Sequence, residues 1–332
     1  MNSILIIQLK RLGDLILTTP ALRGLRKLYP KAKVTLLIDQ HSRELAPAIA
    51  DVDRVWIYQR RESFKLWVDL IRSEFDLCLD FTGNDRSAVL TFLSKAGRRV
   101  GFAFVAKRAI RAWVYTELVS SAVREKHTVD HYVDLVRALG DYGTDLPVHL
   151  RLPDGAGPSA TRLREQIGLP DRYCVVHPGT ARPEKYWPAD RWAKVISYLH
   201  RRHKLPCLIT GGKDSAELRH LAEIRSHLSA ELFFSVAGKI DFLMTAAMIQ
   251  RASLFAGADT AGAHLASAFS VPEVVLFGPT NPFHWRPRHG PSAVVRAGFD
   301  VPYDHFEPRQ KGSPMTGLST EAVIRAIETV LV

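Results

Sequence analysis

A single carboxylate beside two cations, in the order Lys10-Arg11-Leu12-Gly13-Asp14, follows the apolar run ILIIQL and leads into a helical pattern. A carboxylate held at a helix start next to positive charge stays ionised while it takes a proton from a hydroxyl, which is the work of a general base. Gly13 permits the tight turn and a close ligand approach. The competing role for Asp14 is a helix N-cap, and taken by itself the loop favours the cap. Neither the G-x-G-x-x-G spacing of a dinucleotide fold nor the G-x-x-x-x-G-K-[ST] spacing of a P-loop is present at this place.

The second half holds three more loops with chemistry in them. The stretch H-P-G-T-A-R-P-E-K-Y-W-P carries Gly179 and Thr180 as backbone and hydroxyl donors, with Arg182 and Lys185 as cations. These are the materials of a diphosphate site. In A-D-T-A-G-A-H-L-A, Asp259 and Thr260 precede a helix whose small residues, Gly262 among them, let a phosphate approach the free N–H groups. His264 in that helix reads equally as a satisfied core histidine or a substrate contact, and its spacing matches no two-histidine metal motif. The run F-G-P-T-N-P from Phe277 makes a further tight turn. Three loops are thus expected to converge on one anionic ligand, with Trp187 a packing anchor beside them.

Something must position these loops, and apolar runs of strand length alternate with amphipathic helical stretches from the first residue. The strand patterns are ILIIQL, VTLLI, RVWIY and DLCLDF, then YCVVH, LPCLIT, LFFSV, SLFAG and EVVLF. Helices are expected between VTLLI and RVWIY, up to Leu28, and over 64–72, 86–95 and 129–139, with Gly140 as a stop. In the second half they are expected over 161–167, 189–202, 215–228, 241–250 and 262–269. This is the βαβ rhythm of a parallel sheet. The stretch 99–126 has no clear period. Around Arg151 the cluster LPDGAGPSA interrupts the rhythm before it restarts, which places a domain boundary there. Ligands of such sheets bind beyond the carboxyl ends of the strands, where all these loops lie.

At 332 residues two domains are the default. Lys and Arg number 45 against 34 Asp and Glu, a formal charge of +11 that implies an anionic partner. No helix-turn-helix, zinc-finger or RNP-like motif supports nucleic acid as that partner. Cys78, Cys174 and Cys207 each lie in an apolar run, as buried reduced thiols do, which favours the cytosol. The first apolar run, Ile4 to Ile7, is too short for a signal-peptide core or a spanning helix, so any membrane association is expected to be peripheral.

Over essentially the whole chain these segments resemble the ADP-heptose:lipopolysaccharide heptosyltransferases of glycosyltransferase family 9. The segments K-R-L-G-D-L-I-L-T-T-P-A-L, H-P-G-T…K-Y-W-P, D-T-A-G-A-H-L-A and V-V-L-F-G-P-T occur in order across the two halves. The resemblance implies an α/β protein of the GT-B class, with two Rossmann-like doubly wound domains facing a central cleft. Residues 1–152 would bind the acceptor and 153–332 the nucleotide sugar. It further implies inverting transfer of heptose to the inner core of lipopolysaccharide, with no cofactor and no metal, so that no D-x-D carboxylate pair is needed. By position Asp14 matches the family's base, Thr180 and Lys185 match donor phosphate contacts, and Gly179, Asp259, Thr260, Gly262 and His264 fall in the donor motifs. Lys10 and Arg11 would face the acceptor's anions. One departure is Ala261, which stands where the family often has glycine directly after D-T; it and the run F-H-W-R-P from Phe283 resemble the third-heptose branch.

A lipid A core rich in phosphate and carboxylate, displayed at the inner face of the inner membrane, suits the basic balance. Arg60, Arg61, Arg98 and Arg99 are candidate acceptor contacts, against the plainer reading of solvated surface charge. Two rivals remain: a GT-B enzyme using another nucleotide sugar, and a sugar-nucleotide-binding relative without turnover.

Overall fold

Ile4–Ile7 is an unbroken apolar run, which a strand can hold only if both of its faces are covered. It forms the middle of β1 (Ser3–Gln8), every residue of which from Ile4 onward is buried. The computed structural model describes residues 1–61, 64–143 and 146–331. The chain divides into units of Met1–Arg151 and Leu152–Val332.

In the first unit β1 pairs in parallel with β2 (Lys33–Asp39) on one side and β4 (Leu77–Asp80) on the other. With β3 (Arg54–Tyr58), β5 (Arg98–Phe102) and β6 (Glu117–Val119) the order is β3-β2-β1-β4-β5-β6. Leu5, Ile7 and Leu9, spaced by two, share one face and a core cluster with Leu66, Leu70 and Leu90. Leu66 and Leu70 belong to α2 (Phe64–Arg72) and Leu90 to α3 (Asp85–Leu93). α4 (Ala109–Val114) packs on α3, while α1 (Leu12–Leu28) packs on α5 (Thr128–Arg137). Pro20 lies inside α1 and cannot donate to the Ile16 carbonyl; the Thr19 hydroxyl donates to that carbonyl instead, at 2.8 Å.

Two readings of this half change. The α-helix expected between VTLLI and RVWIY is a 3₁₀ segment, Gln40–Ala48, in which Pro47 removes a donor that an α-turn needs. The stretch without a clear period holds β5, a 3₁₀ turn at Ala103–Lys107, α4 and the three-residue β6. Elements this short leave too few repeats for a period to show.

The second unit repeats the plan. Its strands are β7 (Cys174–His177), β8 (Cys207–Ile209), β9 (Phe234–Ser235), β10 (Leu254–Ala258), β11 (Glu273–Phe277) and β12 (Ser292–Arg296). They run parallel in the order β12-β11-β10-β7-β8-β9. α6 (Ala156–Gln166) begins five residues before the expected start, with Pro158 in its first turn, where a missing N–H costs nothing. α7 (Ala189–His203), α8 (Ser215–Ser226), α9 (Phe242–Gln250), α10 (Ala261–Ala268) and the short α11 (Pro282–Trp285) follow. β12 and α12 (Thr320–Val330) were not expected from the pattern. Trp187 is fully buried, meets Trp192 edge to face at 5.0 Å and donates to the Leu318 carbonyl at 2.9 Å, as a packing anchor does.

All three cysteines are buried and free. Burial pushes the Cys78 thiol up to about 12 and the Cys207 thiol well above its ordinary value, so neither is a reactive thiolate.

The strand order reverses direction between β1 and β4 in one sheet and between β7 and β10 in the other. Such a switch point leaves a crevice beyond the strand ends in which ligands of doubly wound sheets bind. The loops that follow β1 and β4, and those that follow β7 and β10, are therefore where each unit should do its chemistry.

Candidate active site

In the first unit the loop after β1 runs directly into α1. Arg11 is the N-cap residue, exposed and without a side-chain cap bond, and Asp14 is the third residue of the helix. The cap reading of Asp14 is thereby set aside. Its half-buried carboxylate accepts a short hydrogen bond from the hydroxyl of Tyr132 on α5, 118 residues away. Tyr132 in turn receives the Lys10 ammonium, 3.3 Å from its oxygen and 4.9 Å from its ring centre. Burial lowers the Lys10 pKa, while the charges of Asp14 and Asp80 oppose that shift. Burial beside a carboxylate pushes the Tyr132 phenol well up, so it stays protonated and can only donate to Asp14. Gln8 completes the frame: its amide donates at 2.7 Å to Thr18, whose hydroxyl donates at 2.7 Å to the Asp14 carbonyl.

The loop after β4 braces this arrangement. Thr82 accepts from the Leu9 amide at 2.8 Å. Asp80 is fully buried and accepts from the Thr82 and Gly83 amides, at 2.8 and 3.0 Å, and from the hydroxyls of Ser87 and Tyr115, each at 2.6 Å. Burial still raises its pKa despite those four donors. His131, next to Tyr132, stacks on Phe102 at 4.0 Å, and burial, helped by Lys10, lowers it to about 4, leaving it neutral.

In the second unit the three loops do converge, but on a protein carboxylate. The Lys185 ammonium, from the loop after β7, donates to the Asp259 carboxylate at 2.7 Å and to the Asp259 carbonyl at 2.9 Å. Thr280, from the loop after β11, donates to the same carboxylate oxygen at 2.9 Å. Lys185 and Asp259 are both buried. Next to them Thr260 is the N-cap residue of α10, yet its side chain makes no cap bond. Its buried hydroxyl has no hydrogen-bond partner among the described residues. Gly262 follows in the first turn, where a Cβ would come within 3.4 Å of both Phe255 and His177. His264 is buried one residue beyond Ala263.

Gly179 has a reason of its own. A Cβ there would fall 1.9 Å from the carboxylate of Glu217, in the first turn of α8. Glu217 is buried, accepts from the Gly212 amide at 2.7 Å, and is raised by burial. Thr180 is half-buried and accepts weakly from the Arg182 amide at 3.3 Å; Arg182 itself pairs with Glu184 at the surface. His177, at the end of β7, meets the Thr210 hydroxyl at 2.8 Å, and burial lowers it to about 4.

Other residues picked out by the sequence lie elsewhere. Arg60 and Arg61 are exposed after β3, an edge strand two places from β1. Arg98 and Arg99 open β5, at the N-terminal ends of the parallel strands, whereas the Asp14 loop follows the C-terminal end of β1. The first forms a two-pronged pair with Glu117 and the second donates to the Val114 and Ala96 carbonyls, so both are used structurally. The sequence does contain one D-x-D spacing, Asp51-Val52-Asp53. Asp53 accepts from the Val34 amide and pairs with Arg26, each at 2.7 Å, which explains it as a brace for the β2–β3 connection. Among the described residues no three His, Cys, Asp or Glu side chains are grouped to hold a metal ion.

The sequence reading missed Gln8, Thr82, Tyr132 and Glu217. The H-x-x-x-H-Y run ending at Tyr132 was the available signal, since polar rings repeated on one buried helix face need a reason to be there.

This pair of Rossmann-ordered sheets is the GT-B fold. The chain superimposes with a TM-score of 0.84 on the glycosyltransferase family 9 structure from Veillonella parvula, over 99% of this chain and 97% of that one at 24% identity. With the Escherichia coli ADP-heptose lipopolysaccharide heptosyltransferase II the TM-score is 0.81, at 19% identity over 100% and 98% of the two chains. Residues 63–305 match glycosyltransferase family 9 (heptosyltransferase), and the chain belongs to that family and is a glycosyltransferase. Among curated relatives, lipopolysaccharide heptosyltransferase 3 of Escherichia coli is 26% identical over 285 residues, 83% of either chain.

Proposed function

We propose that the protein transfers heptose from ADP-heptose to the inner core of lipopolysaccharide, by inversion and without a metal. The observation that carries the reading is the Asp14 carboxylate, held at the first unit's switch point by Tyr132 and flanked by Lys10. A tyrosine that can only donate keeps that carboxylate an acceptor and fixes its direction, which is what a base needs before it meets a hydroxyl. Asp14 takes the proton as the acceptor oxygen attacks the anomeric carbon and ADP leaves from the opposite side.

The second unit holds the donor. The unpartnered Thr260 hydroxyl and the first N–H groups of α10 offer the diphosphate its hydrogen bonds. Lys185, paired with Asp259, completes the donor side together with Gly179 and Thr180 of its own loop and His264 of α10. Glu217, in the first turn of the helix that follows the unit's second strand, is the acidic group on offer to a ribose hydroxyl, as in other doubly wound folds. Lys10 and Arg11, with Arg60 and Arg61 further out, attract the phosphates of the acceptor. The protein works at the inner face of the inner membrane as a peripheral enzyme; no helix among the described residues is long and apolar enough to cross a membrane. ADP-heptose is favoured over other nucleotide sugars because the curated relative and the second solved structure are both heptosyltransferases.

The test is a panel of ADP-, UDP- and GDP-sugars offered with a deacylated inner-core acceptor, scored by nucleotide release and product mass. Release from ADP-heptose alone, with the anomeric configuration inverted, is expected. Turnover of a different nucleotide sugar, or binding of ADP-heptose with no release, overturns the proposal.

A further inference from the structure

We propose that the outer face of α2, α3 and α4 docks the protein onto an anionic lipid bilayer. The inference deepens the reading above, in which the acceptor is lipid-borne, by naming the surface that meets the membrane.

α2 and α3 bury one side in the core that covers the sheet, α4 packs on α3 and on the 3₁₀ turn before it, and all three turn large apolar side chains outward. On α4, Ile110 and Trp113 are 87% and 73% exposed and are spaced by three, on one helix face. On α3, Val89 and Phe92 repeat that spacing, and the Phe92 and Trp113 rings approach to 5.5 Å. On α2, Phe64 is 82% exposed and Ile71, two turns on, is exposed as well. No large apolar residue of the second unit described here exceeds 57% exposure. A soluble surface tolerates scattered apolar residues, but six gathered on three adjoining helices ask for a partner.

Charge identifies the partner. From Arg86 to Thr116 the sequence has seven Lys and Arg and no Asp or Glu; the flanking Asp85 pairs with Arg108 and Arg111 and the flanking Glu117 with Arg98, which leaves the lysines as the rim's unopposed charges among the described residues. Lys65, Arg72, Lys95, Lys107 and Arg108 are all exposed on these helices or at their ends. An apolar face rimmed by cations and including a tryptophan has the chemistry that inserts into the headgroup layer of an anionic bilayer. The face also joins the site: Arg111 on α4 reaches the Gly83 carbonyl at 3.3 Å, and neighbouring Thr82 accepts from Leu9 in the Asp14 loop. Docking here brings the acceptor loop to the surface that carries the acceptor.

The experiment is flotation of the full chain with vesicles of phosphatidylethanolamine and phosphatidylglycerol, against vesicles of phosphatidylcholine alone. The wild type should float with the anionic vesicles and be released by salt. Ile110→Ser and Trp113→Ser should each weaken that partition roughly tenfold, and Lys95→Glu with Lys107→Glu should weaken it without any apolar change. Melting temperature and nucleotide release with the deacylated acceptor should be unchanged in all of them. The proposal is overturned if the wild type ignores anionic vesicles, if the variants float as it does, or if they instead change the mass of the protein in light scattering, which would assign the face to a protein contact. Flotation needs no substrate, so failure of the heptosyl-transfer reading leaves this result legible.

Discussion

The two units share strand order and switch-point position but use charge in opposite ways. In the first, a half-buried carboxylate accepts from a tyrosine hydroxyl that itself receives a lysine ammonium. In the second, the buried Lys185 and Asp259 neutralise each other, and the unmet hydrogen bond belongs to a neutral hydroxyl at a helix cap. The difference matches two tasks. Proton removal needs a charge that is free to change, whereas holding a diphosphate needs donors fixed before the ligand arrives.

The comparison breaks most visibly at Asp14. Asp14→Asn keeps the size and the hydrogen bond to Tyr132 but cannot take a proton. General-base catalysis contributes about 10²–10⁴-fold, so kcat should fall within that range, while ADP affinity by calorimetry stays at the wild-type value because the second unit is untouched. A folded, fully active variant would move the base elsewhere in the first unit.

Lys185 tests the other half. If its ammonium were simply offered to phosphate, Lys185→Met would weaken ADP binding and leave stability alone. Because it is paired, its removal strands Asp259, and loss of one partner of a buried pair costs about 3–5 kcal/mol. Chemical denaturation should show that loss, and adding Asp259→Asn should restore much of it. Unchanged stability of the single variant would mean that the pair is not formed in solution.

This contrast marks what a sequence can and cannot show. The βαβ rhythm was readable because long runs such as Ile4–Ile7 must be covered on both faces, and the loops fell where the fold puts ligands. Asp14, Thr260 and Lys185 could be selected by type and place. Their partners could not: Tyr132 lies 118 residues from Asp14, and Lys185 lies 74 from Asp259. Sequence distance carries no record of which side chains the sheet brings together. β12 and α12 went unassigned although SAVVR and TEAVIRAIETV have strand and helix periods, because the long stretch between them holds only a three-residue 3₁₀ turn and breaks the βαβ rhythm that would link them.

On one property the units should agree. Burial lowers His131 in the first and His177 in the second to about 4. An unfolded histidine titrates near 6.5, so between these values the unfolded chain binds more protons and stability falls as pH falls. The sign follows from a folded pKa below the unfolded one: stability is full above about 6.5 and is lost down to about 4. From pH 7 to 5 each group should remove on the order of 2 kcal/mol, read by urea denaturation. His131→Asn and His177→Asn should each flatten the slope by a similar amount; if only one does, the burial is not equivalent in the two units.

The smallest expected effect is the most selective. Thr260 is the cap residue of α10 without a side-chain cap bond, whereas Ser319 caps α12 by accepting from the Ala322 amide at 3.2 Å. A cap that is used costs about 0.5–2 kcal/mol when removed, so Ser319→Ala should lower stability by that much and leave ADP binding alone. Thr260→Val should do the reverse. It replaces a buried, unpartnered hydroxyl with a methyl group of the same shape, which holds or raises stability because no bond is lost. If the hydroxyl waits for the diphosphate, ADP affinity should fall by about 1 kcal/mol, roughly fivefold. Calorimetry and denaturation on the two variants give a crossed pattern, each protein altered in the quantity the other keeps. A Thr260→Val protein that is destabilised yet binds ADP as before would show that its hydroxyl serves the helix after all, and the second unit's preformed donors would then have to be sought among the backbone amides of α10 alone.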